Sequence, residues 1–260
     1  MTDFKTKYGT WALVAGASEG LGAAFAEELA KRGMNLILVA RRIEKLEELS
    51  KKLRDQYPIE IKCYSIDLAD YAQIKPFISQ LDVDPGLLVY NAAYAPIGYF
   101  DSIAEEDLNR IVDVNIKAPL LLLKMLSVKM IEKGKGAIVL MSSLAGAQGS
   151  PKIATYAASK AFNKTLAEGL WYELKNHGID VLSCFAGAVS TPGYKKAQNS
   201  KDGPGTLDAE KVASLTLNAL GKGPTIIPGF VNKLAHFFMV RLFPKKLAIS
   251  IMGRNTKDLI

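Results

Sequence analysis

A doubly wound, mostly parallel α/β sheet with helices on both faces is the fold this sequence predicts. Two observations carry that expectation. Short, near-continuous apolar runs alternate with segments of helical periodicity from residue 11 to about residue 227, and no linker, internal repeat or low-complexity tract interrupts the series. The first run also ends in a glycine-rich turn that opens a helix, Gly16-Ala17-Ser18-Glu19-Gly20-Leu21-Gly22. At 260 residues and 49% hydrophobic content the chain can fill one such sheet, so a single domain over residues 1–260 is expected.

Residues 11–15 and 36–40 read as buried parallel strands, because each is an unbroken apolar run of strand length. Between them, residues 23–32 repeat apolar positions at helical spacing, which makes the opening a right-handed strand-helix-strand unit. A charged amphipathic helix follows at 43–56, a strand near 60–64, a helix at 72–81 and a short central strand at 87–90. A long helix is predicted over about 105–132, with Pro119 as the point of irregularity. The remaining elements are a strand at 137–141, a helix at about 155–176, a strand at 180–185, a helix at 208–220 and a short strand at 225–227.

The glycine turn allows a pyrophosphate to approach the backbone closely, and the start of the following helix supplies free amides and a favourable dipole. The spacing is GxxxGxG and differs from the GxGxxG dinucleotide fingerprint. Gly16, Ser18, Gly20, Leu21 and Gly22 are therefore the phosphate-end candidates of a Rossmann-type unit. Arg41-Arg42 closes the second strand, where an acidic residue would receive the ribose hydroxyls of NAD. Two guanidinium groups suit a 2′-phosphate instead, so NADP(H) is the expected cofactor, with Ser18 offering a further hydroxyl. Asp67, followed by Leu68, is placed to accept from an adenine amino group, and Asn91 stands where the chain passes the adenine ribose. A plain glycine-rich connection, a solvated arginine pair and simple turn formation at Asp67 and Asn91 are the alternatives.

Tyr156-Ala157-Ala158-Ser159-Lys160 places a phenol and an ammonium on one helix face. A fixed cation beside a phenol favours phenolate, which predicts a Tyr156 pKa below its free value and an acid-base role near neutrality.

Lys and Arg outnumber Asp and Glu by 33 to 26, a net charge of +7, yet no aromatic-basic ladder or recognition helix suggests nucleic acid. Cys63 and Cys184 lie in strand candidates without histidines nearby in sequence, so two reduced thiols and no metal site are expected. The start, Met1-Thr2-Asp3-Phe4-Lys5, lacks a signal-peptide core, and a cytoplasmic location is expected. Residues 229–260 form an extension in which Phe230, Leu234, Phe237, Phe238, Met239, Val240, Leu242, Phe243 and Leu247 are interrupted by Lys233, His236, Arg241, Pro244, Lys245 and Lys246. The preferred reading is an oligomer contact or a cavity wall; the alternative is a basic amphipathic segment resting on a membrane surface.

At this point the sequence resembles the short-chain dehydrogenase/reductase family. The resemblance rests on the glycine turn, Asn91-Ala92-Ala93, Asn115, Ser142-Ser143 and Tyr156-Ala157-Ala158-Ser159-Lys160, in family order and over nearly the whole chain. A looser similarity to the branch of 3-ketoacyl-CoA reductases and 17-beta-hydroxysteroid dehydrogenases rests partly on Lys7-Tyr8-Gly9-Thr10-Trp11-Ala12. The resemblance implies Tyr156 as proton donor in reduction and Lys160 as the group that lowers its pKa and holds the nicotinamide ribose. It implies Ser143 as the hydrogen-bonding partner of the substrate oxygen, and Asn115 as the holder of a water that links Lys160 to solvent. A helix-bending role for Asn115 is the alternative. The segment 185–191 resembles the stretch that passes the nicotinamide, which implies cofactor contacts for Gly187, Val189 and Thr191. Ala15, Ala93 and Ala186 depart from the usual threonine, glycine and proline.

Residues 188–207, with Pro192 and Pro204, form a connection suited to a substrate lid. With the Phe-rich tail it suggests a fairly large apolar ketone or secondary alcohol, reduced by an NADP(H)-dependent oxidoreductase. The family resemblance implies a homodimer or homotetramer. The rival is a weakly active or inactive NADP(H)-responsive binding protein, favoured by the three departures and opposed by the intact Asn115, Ser143, Tyr156 and Lys160.

Overall fold

The computed structural model describes residues 4–197, 203, 205–257 and 259. After α1 (Phe4–Tyr8), the chain runs through β1 (Trp11–Ala15), α2 (Gly20–Lys31), β2 (Asn35–Ala40), α3 (Ile43–Gln56), β3 (Ile61–Ser65), α4 (Tyr71–Ser79) and β4 (Pro85–Tyr90). It continues through α5 (Glu105–Val112), α6 (Ala118–Lys133), β5 (Gly136–Ser143), α7 (Ala154–Leu174), β6 (Ile179–Ala186), β7 (Val189–Ser190) and α8 (Pro192–Ala197). The last elements are β8 (Leu207–Asp208), α9 (Ala209–Asn218), β9 (Thr225–Ile226), α10 (Phe230–Phe237) and α11 (Lys245–Asn255).

The main sheet has the order β3-β2-β1-β4-β5-β6-β9, and every neighbouring pair is parallel. The expected mostly parallel sheet is therefore wholly parallel among the described residues. Strand order reverses between β1 and β4, which opens a crevice beyond their carboxyl ends, the position that ligands use in doubly wound sheets. Successive residues of β1 feed opposite cores: Ala12 and Val14 pack with Phe25, Leu29 and Leu217, while Leu13 and Ala15 pack with Ile74, Leu122 and Leu126. Burial on both faces is why these strands read as unbroken apolar runs instead of alternating ones.

The predicted long helix differs from expectation in an informative way. It is α5 and α6 joined by a widened π turn, Asp113–Lys117, so the irregularity lies before Pro119 and not at it. The Ala118 amide reaches back five residues to the Asp113 carbonyl. Pro119 has no amide to offer Val114, whose carbonyl instead accepts from the buried Tyr90 hydroxyl at the end of β4. The turn is thus tied to the central strand, and it carries Asn115.

Within 188–207 the structure adds a parallel ladder that the sequence reading does not foresee, Val189 with Leu207 and Ser190 with Asp208. Residues 198–202 and 204 of the expected lid, Pro204 included, lie outside the described residues, as do residues 1–3, 258 and 260. The tail folds into α10, a π turn at Phe238–Leu242, and α11, which is held to the loop after β5 by Lys152 Nζ donating to the Lys257 and Leu259 carbonyls at 2.6 and 3.1 Å. Cys63 and Cys184 are free thiols, and among the described residues no His/Cys/Asp/Glu group is arranged to hold a metal. No described helix is long and apolar enough to cross a membrane.

Candidate active site

The crevice at the switch point is a cleft of about 370 Å³ lined by Gly16, Ser18, Gly20, Leu21, Arg41, Arg42, Asp67, Leu68, Asn91 and Thr191, among others. Ten of the residues expected to touch a dinucleotide are thereby brought together. Gly16 ends β1 at φ +83°, and a Cβ there would stand 2.7 Å from the Ala92 backbone, so the chains leaving β1 and β4 approach as closely as they do only because this side chain is missing. Gly22 does not line the cleft; a Cβ on it would meet the Gly16 carbonyl oxygen at 1.9 Å, so its part is to let α2 pack onto the turn. Asn91 donates its amide to that same carbonyl at 3.1 Å.

The adenosine end of the cleft carries paired charge. Arg42 contacts the Ser18 hydroxyl at 3.1 Å and the Glu19 carboxylate at 3.0 Å, while Arg41 lies beside it, exposed. Arg110, which the sequence reading misses, contacts both Asp67 carboxylate oxygens at 2.8 and 3.1 Å and lies 5.6 Å from the centre of the Tyr94 ring. Burial alone would raise the Asp67 pKa, but the Ala69 amide and the Arg110 guanidinium hold it below the ordinary carboxylate value. Three guanidinium groups against two carboxylates leave this end of the cleft cationic, which fits an anionic ligand.

Thr191 is expected at a nicotinamide carboxamide; the structure sets its side chain against Gly20, where a Cβ would approach it to 3.1 Å, so the segment after β6 closes over the phosphate turn. Gly187, just after β6, packs against the tail. The space its missing side chain leaves is taken by Asn232 of α10, whose Oδ1 would lie 2.5 Å from a Cβ at Gly187. Val189 packs against one of the two cores and pairs with Leu207.

Ser143 terminates β5 and Tyr156 lies in the first turn of α7; neither they nor Lys160 is among the residues that line the cleft. Ser143 acts on the Tyr156 hydroxyl, and its Oγ accepts from the Ala145 amide at 3.2 Å. Ser142 donates to the Lys160 carbonyl at 2.6 Å. Lys160 is buried, with Nζ 5.5 Å from the centre of the Tyr156 ring and donating to the Met141 carbonyl at 3.0 Å. Burial draws its pKa down to about 8. The expectation that Lys160 depresses the Tyr156 pKa is not met in this state. Desolvation holds the phenol above its ordinary value and only the Ser143 hydrogen bond opposes it, because the ammonium is turned to a carbonyl instead of to the phenol. A phenol so held is a protonated donor.

Asn115 is fully buried and fully used. Its Nδ2 donates to the Tyr94 carbonyl and to Ser159 Oγ, both at 2.9 Å, and its Oδ1 accepts from the Tyr94 amide at 2.8 Å. Ser159 in turn donates to the Tyr156 carbonyl at 2.8 Å. The side chain therefore fastens the loop after β4 to the turn of α7 that carries Tyr156. Asn115→Ala would remove the partner of the part-buried Tyr94 amide and carbonyl, while Ser159 keeps the Tyr156 carbonyl, and is expected to cost about 1–3 kcal/mol of stability. Urea unfolding checks this; a loss under half a unit of that scale would show that solvent replaces the amide.

Comparisons with known proteins agree with this fold. The sequence pattern of the short chain dehydrogenase family matches residues 10–202. The chain is 36% identical over 234 residues to the 7beta-hydroxysteroid dehydrogenase of Clostridium sardiniense, covering 89% of this chain and 90% of that protein. It is 38% identical over 193 residues to the human protein named inactive hydroxysteroid dehydrogenase-like protein 1, covering 73% of this chain and 58% of that one. Among solved structures, one from work on 7beta-hydroxysteroid dehydrogenase stereoselectivity superposes with a TM-score of 0.91 at 28% identity, covering 96% of this chain and 99% of the other. A short-chain dehydrogenase from Sphingobium yanoikuyae in complex with NADPH superposes with a TM-score of 0.75 at 29% identity, covering 84% of this chain and 86% of that one.

Proposed function

The chain belongs to the short-chain dehydrogenase/reductase family, and on that premise we propose that it is an NADP(H)-dependent reductase of a fairly large apolar ketone, with steroid-like and acyl ketones as the substrate class. Two observations carry this reading: Ser143, Tyr156 and Lys160 stand together where β5 meets α7, and the cleft at the switch point presents Arg41 and Arg42. The cofactor, when bound, supplies the hydride. Everything else falls to side chains of this protein.

The Ser143 hydroxyl orients the substrate carbonyl oxygen, and the protonated Tyr156 hydroxyl delivers a proton to that oxygen as negative charge develops on it. Lys160 stabilises the phenolate that remains and contributes to the ribose site, and the Asn115 region leads replacement protons toward Lys160. Arg41, Arg42 and Ser18 receive the 2′-phosphate, with Asp67, Leu68 and Asn91 at the adenosine and Gly187, Val189 and Thr191 along the nicotinamide. Family membership supports a small-molecule substrate and a homodimer or homotetramer; a cytoplasmic location completes the proposal. Exposed Leu120 and Val128 on α6 and Tyr172 on α7 offer apolar area for association.

Incubation with NADPH and a panel of steroid, acyl and short-chain ketones tests the reading. Substrate-dependent consumption of NADPH with the large ketones supports it, whereas tight NADPH binding without turnover across the panel favours the binding-protein alternative. A pH profile gives a second check. Because the free-enzyme ammonium of Lys160 titrates near 8 and the Tyr156 proton is held above its ordinary value, kcat/KM for reduction is expected to fall as pH rises through about 8. An alkaline limb that appears only near the ordinary lysine range would contradict this assignment.

A further inference from the structure

We propose that the outward face of α10 and the turn after it rest on an anionic lipid bilayer. α10 is inverted relative to an ordinary surface helix. The side chains turned to the protein body are Asn232, buried, and His236, half-buried and edge-on to Phe185 at 5.2 Å. Asn232 donates to the Gly205 and Pro228 carbonyls at 3.1 and 3.0 Å, and Gly187 leaves room for its amide. The outward side chains are Phe230, Leu234 and Phe237 at 79%, 46% and 51% exposure, continued by Leu242 at 55%. A helix that buries asparagine and shows phenylalanine to water forgoes the hydrophobic stabilisation its composition offers, unless an apolar phase covers it.

Charge identifies that phase. From Lys211 to Lys257 the sequence contains no aspartate or glutamate. Lys233, Arg241, Lys245 and Lys246 are exposed around the apolar side chains, and none of them forms an ion pair among the described residues. Self-pairing of this face about a two-fold axis would set its cations against one another. An anionic headgroup layer instead supplies the missing counter-charge while its acyl boundary receives the phenylalanines. The segment lies in the plane of the surface, since no described helix is long and apolar enough to cross.

Co-sedimentation of the full chain with vesicles of phosphatidylcholine, with or without phosphatidylserine, tests the proposal. Binding to the phosphatidylserine vesicles is expected, and Lys245→Glu/Lys246→Glu and Phe230→Ser/Phe237→Ser should each weaken it by about tenfold or more. Both variants should keep the parent melting temperature, because they alter exposed positions. Absence of binding, or binding indifferent to phosphatidylserine, overturns the proposal. So does a sedimentation-velocity mass that Phe230→Ser/Phe237→Ser reduces, which would assign the face to a second copy of the chain.

Discussion

Tyr156→Phe is expected to lower kcat for ketone reduction by about 10²–10⁴-fold while leaving fold and NADPH affinity in place. The hydroxyl is the only atom removed, and its protein partner is Ser143, which keeps the Ala145 amide as a donor after the change. Stability therefore has little reason to fall. The rate has every reason to, because the neighbouring donors are engaged elsewhere: Ser142 with the Lys160 carbonyl, the Lys160 ammonium with the Met141 carbonyl, and Asn115 with Tyr94 and Ser159. Steady-state turnover with thermal melting alongside checks the result. A variant that melts normally and still reduces ketone at the parent rate would remove the phenol from the mechanism.

Replacing both Arg41 and Arg42 with alanine is expected to raise KM for NADPH by about 10–100-fold and to leave KM for NADH nearly unchanged. The range is modest for two charge-assisted contacts because both side chains are exposed, and solvent screens part of their attraction. Arg42 must also leave Glu19 to reach a phosphate. Glu19→Gln removes that competitor and should move KM for NADPH in the opposite direction. Parallel losses with both cofactors would show that the arginines organise the cleft generally and do not read the 2′-phosphate.

The alternation of elements is legible in sequence for a definite reason: strands buried on both faces are unbroken apolar runs, and α3, at Ile43–Gln56, keeps a polar face that sets its limits. Much of the cleft is legible too, since the glycine turn and Arg41-Arg42 follow directly from the ends of β1 and β2. What is hidden depends on contacts between distant segments. Nothing local links Arg110 to Asp67 or Asn232 to Gly187, and Tyr94 shows its function only once Asn115 grips its amide and carbonyl. The π turn is half visible: Pro119 announces a missing amide, but the place where the helix widens depends on Tyr90 reaching the Val114 carbonyl. The Tyr156–Lys160 spacing is read correctly as a shared helix face. Its electrostatic outcome is not, because burial and the Met141 carbonyl decide it.

The most direct measurement is a crystal structure of the protein with NADP+ bound. It is predicted to show Arg41 and Arg42 on the 2′-phosphate, Lys160 turned from the Met141 carbonyl to the ribose, and the Tyr156 and Ser143 hydroxyls facing the nicotinamide across a gap that one carbonyl group fills. A nicotinamide held outside that gap, with the Tyr156 hydroxyl directed into the protein, would contradict it.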